Sequence, residues 1–242
     1  MKIALDIPDY LAGLDAVLGK QKNCKDKLEE SLAHAAVLSY DAEGRKKLSN
    51  VFKLKPAIRE TPDLRQKDLH FFFATIQAYF KVGLEYDEGG FVRFRHLGEA
   101  CEILQRKDLL GRVFSAISYF ANRLEGKLDE IENDYDKFLD SLKKTEIDET
   151  EQASRRSWFW LKCNELGLFQ STDYGKGAFG STAPLGFWIE MCTDVFGDDF
   201  QIDKIAKAVE ATREYYGVRD EFKVSVLFGS KLVSVNKQID IK

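Results

Sequence analysis

Proline is scarce, at four in 242 residues, and no apolar run approaches the ~20 residues of a membrane helix. The first scarcity removes the usual helix breaker, so a chain rich in Ala, Leu, Lys and Glu is free to be mainly helical. The second speaks against a membrane partner. Histidine is scarcer still. His34, His70 and His96 stand apart from one another, so no metal motif can be drawn and no cofactor or metal is expected. The four cysteines, Cys24, Cys101, Cys163 and Cys192, are widely spaced without a CxxC pair, which excludes zinc-ribbon and thioredoxin-type sites. On spacing alone they read as four buried thiols of a cytosolic protein. No GxSxG elbow occurs, so a serine nucleophile with its base and acid cannot be assembled from the signals present. A net charge of −4 gives no concentrated basic surface, and no nucleic-acid partner is expected. Met1 to Leu11 carries acids and a proline where a signal peptide would be apolar, so no signal peptide is expected.

What is present suits a packed helical body. Hydrophobic residues make up 44% of the chain, enough for a sizeable core in one large domain. "KIALDI" reads as a strand, and Pro8-Asp9 opens a helix running to Leu18. Leu28, Leu32, Ala35, Ala36 and Tyr40 recur on one helical face. "EGRKKLSNVF" is a short helix ending before Pro56. Thr61-Pro62 caps a long helix through Phe71, Phe72, Phe73, Ile76 and Phe80. Further helices are expected over 93–106, 108–123 and 124–143. Glu151–Glu165 reads helical, the segment after Pro184 is a helix closed by Gly197, and "QIDKIAKAVEATREYYG" is amphipathic. "FKVSVLFGSKLVSVNK" alternates as strands do.

Gly175, Gly177 and Gly180 fit GxGxxG, a pattern that cradles a pyrophosphate only between a strand and a helix N-terminus. Turn-forming residues precede it, so a flexible surface loop is the better reading. The acidic run "DEIENDYDKFLD" lacks the glycine and closing glutamate of an EF-hand and reads as a solvated helix face.

Two blocks carry a resemblance. Arg156, Trp158, Trp160, Cys163, Glu165 and Gly167 resemble the R-x-W-x-(Y/W)-Q-T-C-T-E-x-G signature of the serine carboxypeptidase S28 family, and "PLGFWIEMCTDVFG" resembles its P-L-x-F-(Y/W)-x-x-x-C-x-D-x-F-G segment. "YYGVRDEFKVSVLF" is similar to the strand that leads to the family's acid motif. The resemblance implies an α/β-hydrolase whose large helical insertion, the SKS domain, caps the active site and shapes a pocket for proline.

On this view the chain is mainly α: a helical bundle over residues 8–217, with strand remnants of the hydrolase core at 1–7 and 218–242. The family's nucleophile motif would lie upstream of Met1, and no aspartate stands where its acid belongs, so the chain alone is expected to be inactive. Whether it is an enzyme is left open by the sequence. The parent would cleave peptides next to proline, as a carboxypeptidase or a dipeptidyl peptidase, in a lysosomal or secreted location. The alternative is a non-catalytic helical binding protein derived from the cap. A peptide is the implied partner, and a homodimer is compatible with the sequence.

The resemblance further implies the disulfides Cys163–Cys192 and Cys24–Cys101, and a substrate-pocket wall made by Trp158, Trp160, Glu165, Phe187 and Trp188. Leu161 and Lys162 stand where the signature has Gln-Thr, and Asn164 replaces a Thr. Phe159 stands where an acid could hold a substrate amine.

Overall fold

The computed structural model describes residues 4–7, 9–59, 64–85, 95–124, 126–146, 151–173, 177–216, 225–228 and 231–234. In chain order the described elements are β1 (Ala4–Asp6), α1 (Asp9–Leu18), α2 (Cys24–Leu38), α3 (Ala42–Val51), β2 (Leu54–Lys55), α4 (Gln66–Glu85), α5 (Arg95–Leu104), α6 (Leu109–Leu124), β3 (Ile131–Glu132) and α7 (Tyr135–Lys143). They continue with α8 (Glu151–Leu161), a π-helical turn (Lys162–Leu166), β4 (Gly167–Phe169), α9 (Leu185–Phe196), α10 (Ile202–Tyr215), β5 (Ser225–Phe228) and β6 (Lys231–Ser234). The molecule is mainly α, as expected. The terminal alternation forms an antiparallel hairpin of β5 with β6.

Local chemistry sets several boundaries. Asp41 caps α3 by accepting from the Gly44 amide at 2.7 Å, and Asp134 caps α7 through the Lys137 amide at 2.9 Å. Each carboxylate satisfies an amide that the first helical turn leaves without a partner. Gly197 closes α9 with φ 101, a conformation that costs glycine little. The proposed Thr61-Pro62 cap lies outside the described residues.

Three expectations need correction. Residues 124–143 are not one helix: Ile131–Glu132 is a strand, parallel to Leu54–Lys55, and Ile131 is buried in the core. Tyr40 does not continue the apolar face of α2, because the helix ends at Leu38 and Tyr40 points to solvent. The four cysteines are not thiols. Cys24–Cys101 and Cys163–Cys192 are disulfides with Cα separations of 5.1 and 5.7 Å, both in the ordinary range.

Two apolar bodies share one helix. The first gathers Leu14, Leu28, Leu48, Phe72, Phe80 and Ile117 with the Cys24–Cys101 bridge. The second gathers Phe71, Tyr135, Phe169, Phe187 and Ile205 with the Cys163–Cys192 bridge. Within the Phe71-Phe72-Phe73 run, Phe72 and Phe73 enter the first body and Phe71 the second. Successive helical residues point about 100° apart, so α4 can wall both cores.

β1 is bound into the helical body, parallel to β4, with Ala4 opposite Gly167 and Asp6 opposite Phe169. A Cβ on Gly167 would come within 2.4 Å of the Ala4 carbonyl oxygen, so this close pairing requires glycine.

The described part of the glycine-rich loop, residues 177–180, is anchored in the fold rather than free at the surface. Ala178 and Phe179 are buried in the first body. The Ala178 amide donates to the Asp15 carboxylate at 3.0 Å, and Phe179 meets Phe80 edge to face. Burial pushes the Asp15 carboxyl up, against the Ala178 hydrogen bond that lowers it.

A candidate substrate-facing site

The two motif blocks meet because α8 and its π turn lie against α9. Cys163 and Cys192 join them covalently. Arg156 donates to the Leu142 carbonyl and places its guanidinium 5.1 Å from the Phe196 ring. Phe159 stacks on that same ring, and Trp160 meets it edge-on at 5.2 Å. The aspartate of the second block, Asp194, accepts from Lys67 Nζ and Tyr135 Oη, both at 2.8 Å. Burial and the Asp194 carboxylate push the Tyr135 phenol well above its usual range. Arg156 and Asp194, one from each block, thus join α8 to α7 and α9 to α4 and α7.

The five wall residues do not lie together on one surface. Trp158 is 52% exposed and Trp160 40% exposed, with Trp160 also packing on Phe200. Glu165 is exposed on the π turn. Phe187 is buried between His70, Tyr135 and Trp188. Trp188 is half-buried, and its indole N–H has no protein acceptor. A shallow cavity of about 320 Å³ lies between α9 and α10, lined by Gly186, Ile189, Glu190, Thr193, Gln201 and Ile202. None of the five expected wall residues lines it.

Lys162 was legible only as a departure from the signature, yet it holds the least ordinary position in the region. It begins the π-helical turn, an irregularity often found where a helix serves a site. Its Nζ lies 4.9 Å from the Phe169 ring centre and 5.5 Å from that of Trp188. Burial, helped by the positive charge of Lys81, pushes its ammonium down to about 7, while Asp6 acts the other way. The Asp6 carboxylate is already engaged by the Ser171 amide at 3.1 Å and the Ser171 hydroxyl at 2.5 Å. Gln77, on α4, donates to the Gln170 carbonyl while its own Oε1 is buried without a protein partner. Leu168 holds a left-handed backbone with φ 58, a strained state for a bulky residue.

Of the histidines, His70 pairs with the Thr182 carbonyl and His96 with the Tyr119 hydroxyl. Among the described residues no group of three or more His, Cys, Asp or Glu could hold a metal ion, and no helix is long and apolar enough to cross a membrane.

Comparison with known proteins gives this arrangement its context. The family model described as "Serine carboxypeptidase S28" matches residues 2–240. Two Caenorhabditis elegans proteins, each named "Putative serine protease", are 27% and 26% identical to the chain, over 84% and 89% of it. The matches cover 39% and 43% of those proteins, so the chain spans about two fifths of the length of these curated relatives. Thymus-specific serine protease of Mus musculus is 32% identical over 73 residues, 30% of this chain and 14% of that protein. No solved structure matches.

Proposed function

Because the chain belongs to the serine carboxypeptidase S28 family, we propose that it is the helical cap of a serine peptidase that cleaves peptides next to proline. The cap would close over the substrate, exclude water and select the residue in the pocket. A serine, a histidine and an aspartate from the rest of a full-length relative would perform the acyl-enzyme chemistry. The observation that carries this reading is the coverage. The family match runs through nearly the whole chain, while the chain corresponds to about two fifths of its longer relatives.

The two disulfides support an oxidising location, such as the lysosomal or secreted setting proposed for the parent. Aromatic side chains at the end of α8, Trp158 and Trp160, are the proposed contact with peptide, since large exposed aromatics are frequent in recognition surfaces.

The test is made on the disulfide-intact chain. Incubation with a fluorophosphonate probe should label no serine, and proline-containing peptides should survive. Joining the chain to the remaining three fifths of a relative should restore both reactions. Stoichiometric labelling of one serine in the chain alone would overturn the cap reading.

A further inference from the structure

We infer that Asp15 and the glycine-rich loop form a proton-gated latch between the two apolar bodies, held shut when the carboxyl is neutral and loosened when it ionises. What points to it is the way the loop closes over a carboxyl group. Residues 177–180 lie on the path from β4, whose Phe169 belongs to the second body, to α9, yet Ala178 and Phe179 are seated in the first body. Asp15 of α1 faces them and is only 6% exposed. The Ala178 amide donates to both of its oxygens, at 3.0 and 3.3 Å. The Gly177 backbone lies so close that a Cβ there would come within 2.6 Å of Oδ2. Phe179, further along the loop, meets Phe80 of α4 edge to face at 6.0 Å.

The seat suits a neutral carboxyl better than a carboxylate. An ionised carboxyl offers about four acceptor sites, and among the described residues a single amide donates to them. The charged groups that face Asp15 both come from α2. Lys25 holds its Nζ 3.9 Å from Oδ2, outside hydrogen-bond reach, and is itself 31% exposed. Glu29 opposes ionisation by its own charge. α4 sends a further cation to α1, but Lys81 rests over the Tyr10 ring. One amide and a partly screened lysine do not replace the water that the seated loop removes. Burial therefore wins and pushes the carboxyl up.

Linkage fixes the direction. With the loop seated, Asp15 titrates above its ordinary value of 3.8, and with the loop lifted, water restores that value. Between the two values the seated state binds more protons, so seating strengthens as pH falls through that window, by up to ~10-fold per pH unit. Below 3.8 both states are protonated and the latch is fully shut. Above the seated value both are ionised and it is at its weakest. The latch does not depend on the cap reading, and an acidic setting such as the lysosomal one proposed for the parent favours its shut form.

Amide hydrogen exchange of the disulfide-intact chain at about pH 4 and about pH 7, corrected for the intrinsic exchange rate and compared with α6 as an internal reference, tests the inference. The segment 177–183 should be at least ~3-fold better protected at the lower pH, while α6 changes less. Asp15→Asn keeps a carbonyl oxygen for the Ala178 amide and removes the titration. Its loop should be protected alike at both pH values, at the level of the acid wild type. A second reading needs no variant: the carbon-13 carboxyl signal of Asp15 should titrate with a midpoint above 3.8. A wild-type loop no better protected at pH 4, pH dependence retained in Asp15→Asn, or a carboxyl midpoint at or below 3.8 overturns the latch. Better protection at pH 7 would mean that Ala178 and Lys25 hold the carboxylate, and overturns its direction. Should Asp15→Asn not fold, wild-type exchange and the carboxyl midpoint decide the matter.

Discussion

In the body built by α1 to α6, Arg112 is a buried cation whose guanidinium meets acceptors on several sides. Its Nε donates to Ser31 Oγ at 2.6 Å, one terminal nitrogen to the Lys27 carbonyl and Glu30, and the other to the Arg106 carbonyl. Arg45 is treated alike, donating to the Arg59 and Ser39 carbonyls. Beside the second body stands Lys162, which is half-buried and whose ammonium lies against the rings of Phe169 and Trp188. The first arrangement ties α2 to α6 and asks for nothing further. The second leaves a charge whose protonation the surroundings can reverse near neutral pH. Packing thus fixes the charge of the arginine and leaves that of the lysine to pH.

The bridges offer the largest test of that contrast. Cys24–Cys101 closes a separation of 77 residues and Cys163–Cys192 one of 29. The chain-entropy model gives stabilisation of about 4.5 kcal/mol for the first and about 3.6 kcal/mol for the second. Removing each pair as Cys→Ala should cost in that order, read from denaturant midpoints. A larger loss on removing Cys163–Cys192 would mean that loop length does not set the order.

Arg112→Met comes next. It keeps the length of the side chain but strips Ser31 and two carbonyls of their donor, at a cost of ~2–4 kcal/mol. Thermal unfolding should show the loss at pH 5.5 and pH 8 alike, since arginine does not titrate there. A pH-dependent loss would mean that the network is coupled to Glu30, whose carboxyl Arg112 and Lys27 hold below its usual range.

Gly177→Ala probes the seam where the glycine loop enters the first body. The added Cβ would lie 2.6 Å from Asp15 Oδ2, and that carboxylate is pinned by the Ala178 amide. The expected cost is ~1–3 kcal/mol, measured by denaturant titration. A neutral result would show the loop to be as loose as its composition suggests.

That loop shows where sequence reasoning reached and where it stopped. The helices were legible because apolar spacing repeats along them, as at Leu28, Leu32 and Ala35. Gly197 and Pro184 marked the ends of α9 for the reasons that restrict their backbones. The bridges were not legible from spacing, which carries no information on distance in the fold; they came from the family resemblance. The strand at Ile131–Glu132 was hidden because two residues are too short for a periodic signal, and its partner Leu54–Lys55 lies far back in the chain. Within the proposed wall, aromatic identity told nothing of direction: Phe187 turned into the core and Trp158 out to solvent. Lys162 was illegible as a site for a related reason. Its neighbours Phe169, Trp188, Lys81 and Asp6 come from four different elements, and only tertiary packing brings them to one lysine.

Lys162→Met carries the smallest expected change in stability, and its sign is opposite to the others. An unfolded chain holds this proton up to the ordinary lysine value of 10.5, whereas the folded chain releases it near 7. Between those values the unfolded state binds more protons, so wild-type stability rises with pH. Below 7 both states are protonated and the folded state bears the cost of an ammonium partly shielded from water. Methionine has a similar reach and no charge, so it removes that cost. The variant should therefore be more stable than wild type by ~1–2 kcal/mol near pH 6. Its advantage should shrink steadily toward pH 9, as the wild-type lysine becomes neutral on folding. Paired thermal melts across that range measure the difference directly. A variant less stable than wild type at pH 6 would mean that the ammonium has a partner in the folded chain, and the contrast with Arg112 would be lost.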